Sequence, residues 1–316
     1  MFGDKCVAAV VPCYNEQMLI RQVIETMPDT VDRIFVIDDN STDDTATVVQ
    51  TYAKTEPDRV VLIRHAQNQG VGGAIASGYK AALAERFDIA VVMAGDAQMD
   101  PAELPAIIGP VARGECDYTK GNRLFSGEAW DMIPRVRYLG NAMLSLFTKI
   151  ASGYWHVADS QSGYTAINLK ALETIDWDQM YKRYGQPNDL LVRLNIHDFR
   201  VQDVPIRPIY GVGEQSGIRP LRMIPGLMLL LNRLFWFRMV QKYVIRDFHP
   251  LLFFYLAGTL LFPSGLIFGF YLTGIRLLVG PVAPTSALFA VFLFMSGLQF
   301  LLFAMWMDME NNRTLR

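Results

Sequence analysis

Two side chains with hard oxygen donors, Asp96 and Gln98, stand two residues apart directly after a short apolar run at residues 90–93. An apolar run of this length is typical of a strand that is buried on both faces of a parallel sheet. Ligands of open α/β sheets bind beyond the carboxyl ends of the strands. Oxygen donors at such an end suit a hydrated Mg²⁺ or Mn²⁺ that also binds phosphate oxygens.

A third acid in the same stretch, Asp100, has a structural explanation. It is followed by Pro101 and, two residues later, by Glu103. An aspartate at the N-cap, a proline at the first helical position and an acid in the first turn are typical of a helix start. We therefore expect a helix to begin here, and we assign only Asp96 and Gln98 to chemistry.

Two further apolar runs end in groups that suit a nucleotide. Residues 12–16 (Pro-Cys-Tyr-Asn-Glu) follow the first run, and a proline, an aromatic ring and two polar groups there could hold a base and a ribose. Asn15 alone would equally serve as the N-cap of the next helix. Residues 68–74 follow the third run, and their glycines allow the backbone to approach either a phosphate or another helix closely.

Two adjacent acids, Asp38 and Asp39, end the second apolar run. Ser41 and Asp44, which come next, have the spacing of a capping box, so the following helix explains them. Capping does not require the two preceding acids. A carboxylate at this position can accept a hydrogen bond from a base N–H or from a ribose hydroxyl.

The chain alternates short apolar runs with helical patterns through its first half. The predicted strands are residues 7–11, 33–37, 60–63, 89–93, 117–120, 163–169 and 200–206. The predicted helices are residues 16–27, 43–54, 70–85 and 136–151. This βαβ rhythm predicts an α/β domain with a Rossmann-like, parallel sheet and right-handed crossovers.

The C-terminal part of the chain has a different character. Residues 251–275 and 283–307 are apolar and uncharged, and each stretch is long enough to cross a bilayer with some tilt. A buried core helix is the alternative for each, but two such stretches in succession are rare in a soluble core. The 29 basic and 31 acidic residues nearly balance, so net charge gives no argument for a nucleic-acid partner.

Charges that flank the two apolar stretches predict their orientation. The basic residues are Arg238, Lys242 and Arg246 before the first stretch, Arg276 in the connection, and Arg313 and Arg316 after the second. The positive-inside rule then predicts an integral membrane protein with both termini in the cytoplasm. The N-terminal residues run into a strand and not into an apolar signal segment, so we expect a cytoplasmic domain with three reduced cysteines.

The segment at residues 218–248 separates these two parts. Its arginines and lysine punctuate an apolar, aromatic sequence, which favours amphipathic helices in the headgroup plane; packing of an ordinary helix against the domain is the alternative. We therefore divide the chain into residues 1–217, 218–248 and 249–316. Gly265 and Gly269 form a small-xxx-small pair that could support a homo-oligomer.

The order of the short motifs resembles that of a known family. The patterns are PxYNE, DDNSTDDT, an NxG helix start, GDAQMDP, GNR and DSQSGY, which together cover about residues 7–206. They occur in this order in family 2 glycosyltransferases of the GT-A fold. With two C-terminal spans, the chain resembles polyprenyl-phosphate glycosyltransferases such as dolichyl-phosphate mannose or glucose synthases. The resemblance implies a mixed, mostly parallel sheet.

The resemblance also implies roles for residues at matching positions. The nucleotide side would comprise Pro12, Tyr14, Glu16, Asp38, Asp39 and Asn68. The sugar and acceptor side would comprise Asp159, Gln161, Ser162, Gly163 and Asp189. Asp96 and Gln98 would hold Mg²⁺ or Mn²⁺ on the diphosphate, and Arg123 would bind phosphate. Either Arg135 or Arg137 would face the acceptor phosphate, although each arginine could instead form a surface ion pair.

One departure from the family pattern concerns the metal. The family commonly has an acid where this chain has Ala94, two residues before Asp96. We expect a lower metal affinity, or a contribution from another acid such as Asp39. Asn188 and Asp189 stand near a family glutamate; Asp189 could position a sugar hydroxyl or the acceptor, but either residue could equally be a helix N-cap.

The resulting hypothesis is an inverting hexosyltransferase. It would move a hexose from UDP or GDP to a polyprenyl (undecaprenyl or dolichyl) monophosphate at the cytoplasmic membrane face. A phosphate monoester needs no strong general base, since its second pKa is near ~6. The alternatives are a hydroxyl or amine acceptor, a polysaccharide synthase (although the chain lacks a Q-x-x-R-W motif) and a non-catalytic membrane scaffold.

Overall fold

The computed structural model describes residues 1–124, 135–207, 209 and 220–316, without the side chains of residues 135–139, 141 and 220–223. The described chain forms two compact units. The first comprises Met1–Trp236 together with Leu315–Arg316, and the second comprises Phe237–Thr314. The boundary between the units therefore falls inside a helix of the predicted 218–248 segment.

Seven strands within the described residues form one sheet in the first unit. They are β1 (Val7–Cys13), β2 (Arg33–Asp38), β3 (Val60–Arg64), β4 (Ile89–Val92), β5 (Tyr118–Asn122), β6 (Thr165–Asn168) and β7 (Val201–Pro205). Their order is β3-β2-β1-β4-β6-β5-β7, and every pair is parallel except those of β6 with β4 and β5. The predicted mixed, mostly parallel sheet is confirmed, with strand ends within two residues of those expected.

Helices connect the strands and continue into the second unit. They are α1 (Ile20–Glu25), α2 (Thr45–Thr55), α3 (Val71–Ala84), α4 (Leu104–Ala112), α5 (Arg135–Ser152), α6 (Leu169–Thr174), α7 (Gln186–Ile196), α8 (Pro220–Val240), α9 (Leu251–Leu278) and α10 (Pro284–Asn311). The first helix begins later than the predicted residue 16, since Asn15 has a left-handed φ of 58° and Glu16 N–H donates to the hydroxyl of Thr45 at the start of α2.

Two apolar layers cover the two faces of the sheet. Every residue of β1 is buried, so its apolar run supplies both layers at once. Val10 packs in one layer with residues of α3, and Val11 packs in the other with residues of α1 and α4. A strand that is buried on both faces must be nearly all apolar, which fits the interior position of β1 between β2 and β4.

The glycines at the start of α3 allow a close approach to another part of the protein. A Cβ on Gly72 would lie 2.2 Å from the carbonyl oxygen of Tyr181, and one on Gly70 would lie 2.6 Å from that of Lys182. The backbone N–H of Gly73 donates to the Lys182 carbonyl at 3.1 Å. Of the two sequence-based explanations for this glycine-rich loop, the structure supports tight packing against the chain itself.

The second unit contains two helices that are long and apolar enough to cross a membrane, α9 and α10. Glycines bring them together: a Cβ on Gly265 would lie 2.4 Å from the backbone nitrogen of Phe294, and one on Gly297 would lie 2.2 Å from that of Phe262. No other described atom lies within 4 Å of a Cβ built on Gly269. Gly265 thus packs against α10 within the same chain, while the oligomeric state remains a prediction.

Large apolar side chains cover the outer surface of this helical pair. Ile267 is 71% exposed, Phe270 74% and Leu288 69%. A surface of this kind is unfavourable in water, whereas lipid tails solvate it as well as a protein core does. The predicted pair of spans therefore has both the length and the surface that a bilayer requires.

A buried polar cluster occupies one end of the second unit. Arg238 donates to both carboxylate oxygens of Asp308, at 2.7 and 2.9 Å, and both side chains are fully buried. Tyr243 donates to the same carboxylate at 2.7 Å, and Lys242 donates to the side-chain oxygen of Asn312 at 2.9 Å. These bonds hold the end of α8 and the turn after it against the C-terminal end of α10.

The residues that follow α10 return to the first unit. The N–H of Val201 in edge strand β7 donates to the carbonyl of Leu315 at 3.1 Å. The Leu315 side chain is buried in one of the two apolar layers of the sheet. The chain therefore enters the second unit after Trp236 and leaves it again before Leu315.

Candidate active site

The carboxyl ends of β1, β2 and β4 lie side by side. Cys13 at the end of β1 is opposite Asp38 at the end of β2, and β4 pairs with the other side of β1. Glu16, Asp39 and Asp96 follow these three strands. The sheet therefore brings the acids of three separate motifs to one edge, as the strand-end argument predicts.

The loops after β1 and β2 are held to each other by hydrogen bonds. The N–H of Asn15 donates to the Ser41 hydroxyl at 3.0 Å, and the Asn15 side-chain oxygen accepts from Thr42 N–H at 2.8 Å. Asn15 is therefore not an N-cap, and Ser41 is not half of a capping box. The N-cap residue of α2 is Asp44, but its side chain forms no capping hydrogen bond among the described residues. Asp43 instead accepts from Thr45 N–H at 3.0 Å.

Asp96 and Gln98 lie on a tight turn after β4. Asp96 Oδ1 accepts from Gln98 N–H at 3.1 Å, and Ala97 between them has a left-handed φ of 56°. Gly95 N–H donates to the Pro12 carbonyl at 3.1 Å, and a Cβ on Gly95 would lie 2.9 Å from the Cβ of Cys13. The turn is thereby fixed against the end of β1, and only glycine fits at that contact.

Negative charge accumulates beside this turn. Burial, together with the nearby carboxylates of Asp96 and Asp43, raises the pKa of Glu16 to about 7. Among the described residues, no three or more His, Cys, Asp or Glu side chains are grouped to hold a metal ion by themselves. The oxygen donors of Asp96 and Gln98 suit a divalent cation that takes its other ligands from phosphate oxygens and water.

Asp39 is buried and bonded within the protein. Its carboxylate pairs with His65 Nδ1 at 2.7 Å and accepts from the N–H groups of Gln69 and Gly70 at 2.8 and 2.7 Å. The other ring nitrogen of His65 lies 2.8 Å from the Ser77 hydroxyl. Asp39 thus ties the ends of β2 and β3 to the start of α3, and its bonds disfavour the expected alternative role as a metal ligand.

Two neighbours of Asp39, Asp38 and Asn68, are also bonded within the protein. Asp38 is fully buried and accepts from Ser41 N–H at 3.0 Å, with Arg64 Nε at 3.2 Å from its other oxygen. The Asn68 side chain donates to the Asp39 carbonyl at 3.1 Å. Tyr14, by contrast, is 47% exposed, so on the expected nucleotide side its ring is open to a base.

Arg123 and Asp159 form a paired site at the end of β5. Arg123 donates to the two carboxylate oxygens from Nε at 2.8 Å and from Nη2 at 3.2 Å, and its backbone N–H adds a third bond at 3.2 Å. Burial alone would raise the pKa of Asp159, but the Arg123 charge holds it below its usual range. The Asp159 side chain is fully buried, whereas 20% of the Arg123 side chain is exposed to solvent.

The remaining residues of the expected sugar side surround this pair. Gln161 donates to the Ser160 hydroxyl at 2.7 Å and to the Asn188 side-chain oxygen at 2.9 Å. The Ser162 carbonyl accepts from buried Lys120, whose pKa burial lowers to about 8. A Cβ on Gly163 would lie 3.2 Å from the Met99 side chain, close to the turn of Asp96.

Three residues were expected near the acceptor and are not part of the groups described above: Asp189, Arg135 and Arg137. Asp189 is buried and accepts from Tyr181 N–H at 2.7 Å and from Arg193 Nε at 3.0 Å. The N-cap of α7 is Gly185, so neither Asn188 nor Asp189 caps that helix. Arg135 and Arg137 begin α5, where the side chains lie outside the described residues.

Sequence reasoning missed two residues near the site, His65 and Asp203. His65 follows β3 directly, so the strand-end argument applied to that strand would have found it. Asp203 lies within β7 and accepts from Asn122 and Ala158 at the end of β5 and the loop before Asp159. A lone acid within a strand-like run gives no such signal, because its partners come from distant parts of the chain.

Comparison with known proteins shows which family the chain belongs to. The sequence model of glycosyl transferase family 2 matches residues 8–176. A UDP-N-acetylglucosamine–dolichyl-phosphate N-acetylglucosaminyltransferase of Methanococcus voltae is 30% identical over 244 residues, covering 73% of this chain and 96% of the relative. An undecaprenyl-phosphate mannosyltransferase of Micrococcus luteus is 30% identical, covering 67% of this chain and 88% of that protein.

A solved structure supports the fold. Glucosyl-3-phosphoglycerate synthase from Mycobacterium tuberculosis, in complex with Mn²⁺, UDP and phosphoglyceric acid, aligns with a TM-score of 0.54. The alignment covers 74% of this chain and 78% of the synthase at 20% identity, which supports a shared fold alone. The family match extends over more than half of the chain, and the Methanococcus relative is matched almost end to end. The protein therefore belongs to glycosyl transferase family 2.

Proposed function

We propose that this glycosyltransferase moves a hexose, with inversion, from a nucleoside-diphosphate sugar to a polyprenyl monophosphate. The observation that carries the proposal is the combination, in one chain, of a strand-end site with donors for a metal-bound diphosphate and two helices apolar enough to enter lipid. The names of two relatives include a dolichyl-phosphate and an undecaprenyl-phosphate acceptor, which supports the same acceptor class here.

The donor would bind over the carboxyl ends of β1, β2 and β4. Exposed Tyr14 would contact the base, and the diphosphate of a UDP- or GDP-hexose would extend towards Asp96 and Gln98. These two side chains fit Mg²⁺ or Mn²⁺ shared with the diphosphate, and the bound ion would supply positive charge as the nucleoside diphosphate leaves. Asp39 and Asp38 would shape the nucleotide site through their buried hydrogen bonds.

The acceptor would be a phosphate and not a hydroxyl. A hydroxyl needs a base to remove its proton, whereas a phosphate monoester is already ionised at neutral pH because its second pKa is near ~6. Asp189, the acid expected near the acceptor, is buried and bonded to Tyr181 and Arg193, which leaves it poorly placed to act as a base. Arg123, held by Asp159, would orient a phosphate group.

The reaction would invert the anomeric configuration. One phosphate oxygen of the acceptor attacks the anomeric carbon from the face opposite the nucleoside diphosphate. The bond to the diphosphate oxygen breaks as the new carbon–oxygen bond forms. An α-linked donor would give a β-linked lipid-phosphate sugar.

The site would work at the cytoplasmic face of the membrane. The chain returns from α10 to the first unit at Leu315, so two crossings leave both ends of the helical pair on one side. Basic Arg238, Lys242 and Arg313 adjoin those ends, and positive charge favours the cytoplasmic side. Exposed Ile224 and Leu229 on α8 suit the headgroup region next to that face.

The direct test uses the purified full-length protein in detergent. We would incubate it with undecaprenyl or dolichyl phosphate, Mg²⁺ or Mn²⁺ and a panel of radiolabelled UDP- and GDP-sugars, and count label in the lipid phase. The proposal predicts metal-dependent transfer from one donor. Nucleotide binding without transfer from any donor would contradict it, and would favour another acceptor or a non-catalytic role.

A further inference from the structure

One partly buried acid outside the expected site contacts the residues next to Arg123 and Asp159. Asp203 is in β7, which runs parallel to β5 with Asp203 opposite Lys120. We propose that Asp203 is a positioning residue for the transfer reaction, holding the end of β5 and the loop before Asp159 in the arrangement that pairs Arg123 with Asp159. The inference rests on the proposed function.

A single carboxylate oxygen of Asp203 makes both connections. Oδ2 accepts from the Asn122 side chain at 3.1 Å and from the backbone N–H of Ala158 at 2.7 Å. Asn122 directly precedes Arg123, and Ala158 directly precedes Asp159. Asp203 therefore holds the immediate neighbour of each member of the Arg123–Asp159 pair.

The Asn122 side chain extends this support past Arg123. Its Nδ2 donates to Asp203, while its Oδ1 accepts from the backbone N–H of Leu124 at 2.9 Å. The backbone on both sides of Arg123 is thus fixed by one amide side chain that Asp203 orients. Since the guanidinium is itself paired with buried Asp159, a shift at Asn122 or at Ala158 would displace the group that orients phosphate.

The other oxygen of Asp203 predicts which substitution is tolerated. Oδ1 is buried and has no hydrogen-bond partner among the described residues. An asparagine can place its oxygen where Oδ2 is and its amide where Oδ1 is, which keeps both connections. Burial raises the pKa of Asp203 to about 6, so its charged form is already disfavoured there. Asp203→Ala removes both connections.

Asp117, at the start of β5, offers a matched control for Asp203. Asp117 directly precedes β5 and accepts from the Asn168 side chain at 2.9 Å and from the backbone N–H of Arg200 at 2.8 Å. It connects the start of β5 with the end of β6 and the start of β7, at the opposite end of β5 from Arg123. Asp117→Ala therefore reports loss of a comparable structural acid without disturbance of the Arg123–Asp159 pair.

The experiment compares full-length wild type with Asp203→Ala, Asp203→Asn and Asp117→Ala in the lipid-transfer assay. We expect Asp203→Ala to lower kcat at least ~10-fold with a donor KM within ~3-fold, because a misplaced orienting group costs rate and not donor binding. Asp203→Asn should recover most of that loss, and Asp117→Ala should keep the wild-type kcat. Unchanged kcat in Asp203→Ala, or an equal loss in Asp203→Asn, would overturn the inference.

A second readout separates this inference from the proposed function. Hydrogen–deuterium exchange of residues 156–163 needs no substrate, and it should become faster in Asp203→Ala but not in Asp203→Asn or Asp117→Ala. If wild type transfers no sugar, the proposed function fails, while exchange still decides whether Asp203 holds the loop. If Asp203→Ala does not fold, Asn122→Ala replaces it, with the same expected fall in kcat; wild-type kcat in that variant would overturn the inference.

Discussion

At the scale of single residues, the acids of the site divide by burial and by partner. Asp38, Asp39 and Asp189 are buried and bonded to the protein, whereas Asp96 and Glu16 are only partly buried. A fully buried acid that is bonded within the protein is hard for a ligand to reach, whereas a partly buried acid is accessible. Asp96 is partly buried on the turn after β4, so we expect this acid to matter most for the reaction, and the buried acids to support the shape around it.

Asp96→Asn tests that assignment, with Asp100→Asn as its control. Removing the charge beside the diphosphate should lower kcat/KM at least ~100-fold, the loss typical of one group that stabilises developing charge. Asp100 caps the turn that begins at Pro101, accepting from Ala102 N–H at 2.9 Å, and asparagine caps equally well. Steady-state transfer kinetics would show this difference. Equal activity in the two variants would contradict the role of Asp96.

The raised pKa of Asp203 predicts how stability depends on pH. Because burial lifts its pKa to about 6 from 3.8, folded protein binds a proton in this interval that unfolded protein does not. The contribution of Asp203 to stability therefore falls as pH rises from about 4 to 6, by at most ~3 kcal/mol, and Asp203→Asn should lack this fall. Thermal unfolding midpoints of both proteins between pH 4 and 7.5 would measure it; parallel curves would contradict the prediction.

Sequence reasoning located the site better than it located the bonds within it. Asp96 and Gln98 follow β4, so a one-dimensional pattern of apolar runs was enough to bring them to a strand end, whereas Arg123 was implied only by the family resemblance. The partners of Asp39 could not be predicted, because His65 and Gly70 come from another strand end and a helix start. Local patterns also misled: the spacing of a capping box was present, but the serine bonds across to the neighbouring loop.

At the scale of elements, strands were easier to predict than helix starts. β1 and β4 are buried on both faces, and burial of that kind demands an uninterrupted apolar run. The start of α1 depends instead on tertiary hydrogen bonds, such as that from Glu16 N–H to the Thr45 hydroxyl at 2.8 Å. The same contrast applies to α7, whose N-cap is Gly185 and not Asn188 or Asp189.

The pairing of α9 with α10 depends on glycine at particular positions. A side chain at Gly265 would collide with the backbone of Phe294, so Gly265→Leu should force the helices apart and destabilise the pair by ~1–3 kcal/mol. Gly269 lies one turn further along α9 with no other described atom within 4 Å of its added Cβ, so Gly269→Leu is the matched control. Thermal stability in detergent would separate them. Equal stability of the two variants would contradict the observed packing.

At the scale of the whole molecule, the proposed function would use both units. The first unit contains the sheet and the strand-end site, and the second contains the apolar helices. A lipid-phosphate acceptor is amphiphilic, so an enzyme that uses it needs both a polar site and a means of reaching the bilayer. The distribution of apolar residues along the chain predicted the two long apolar helices, whereas the return of Leu315 to the first unit could not be predicted because it depends on one backbone bond to β7.

Cysteine labelling would test the proposed orientation. The native Cys13 and Cys116 are buried and Cys6 is partly buried, so the background reactivity should be low. An impermeant maleimide applied to intact cells should label Ala283→Cys, which is exposed between α9 and α10. Exposed Thr51→Cys on α2 should react only after lysis. Labelling of the Thr51 variant in intact cells would put the first unit outside and contradict the proposal.

The nature of the acceptor is the central claim, and a matched pair of lipids tests it most directly. Purified protein, with the donor and metal identified in the panel, would be given polyprenyl phosphate or the polyprenol of the same length, and the lipid product would be identified by mass. We predict a sugar linked through phosphate, formed only from the phosphorylated lipid, because the proposed site has Arg123 to orient a phosphate whereas Asp189 is buried and bonded within the protein. A sugar attached directly to the polyprenol would contradict the account.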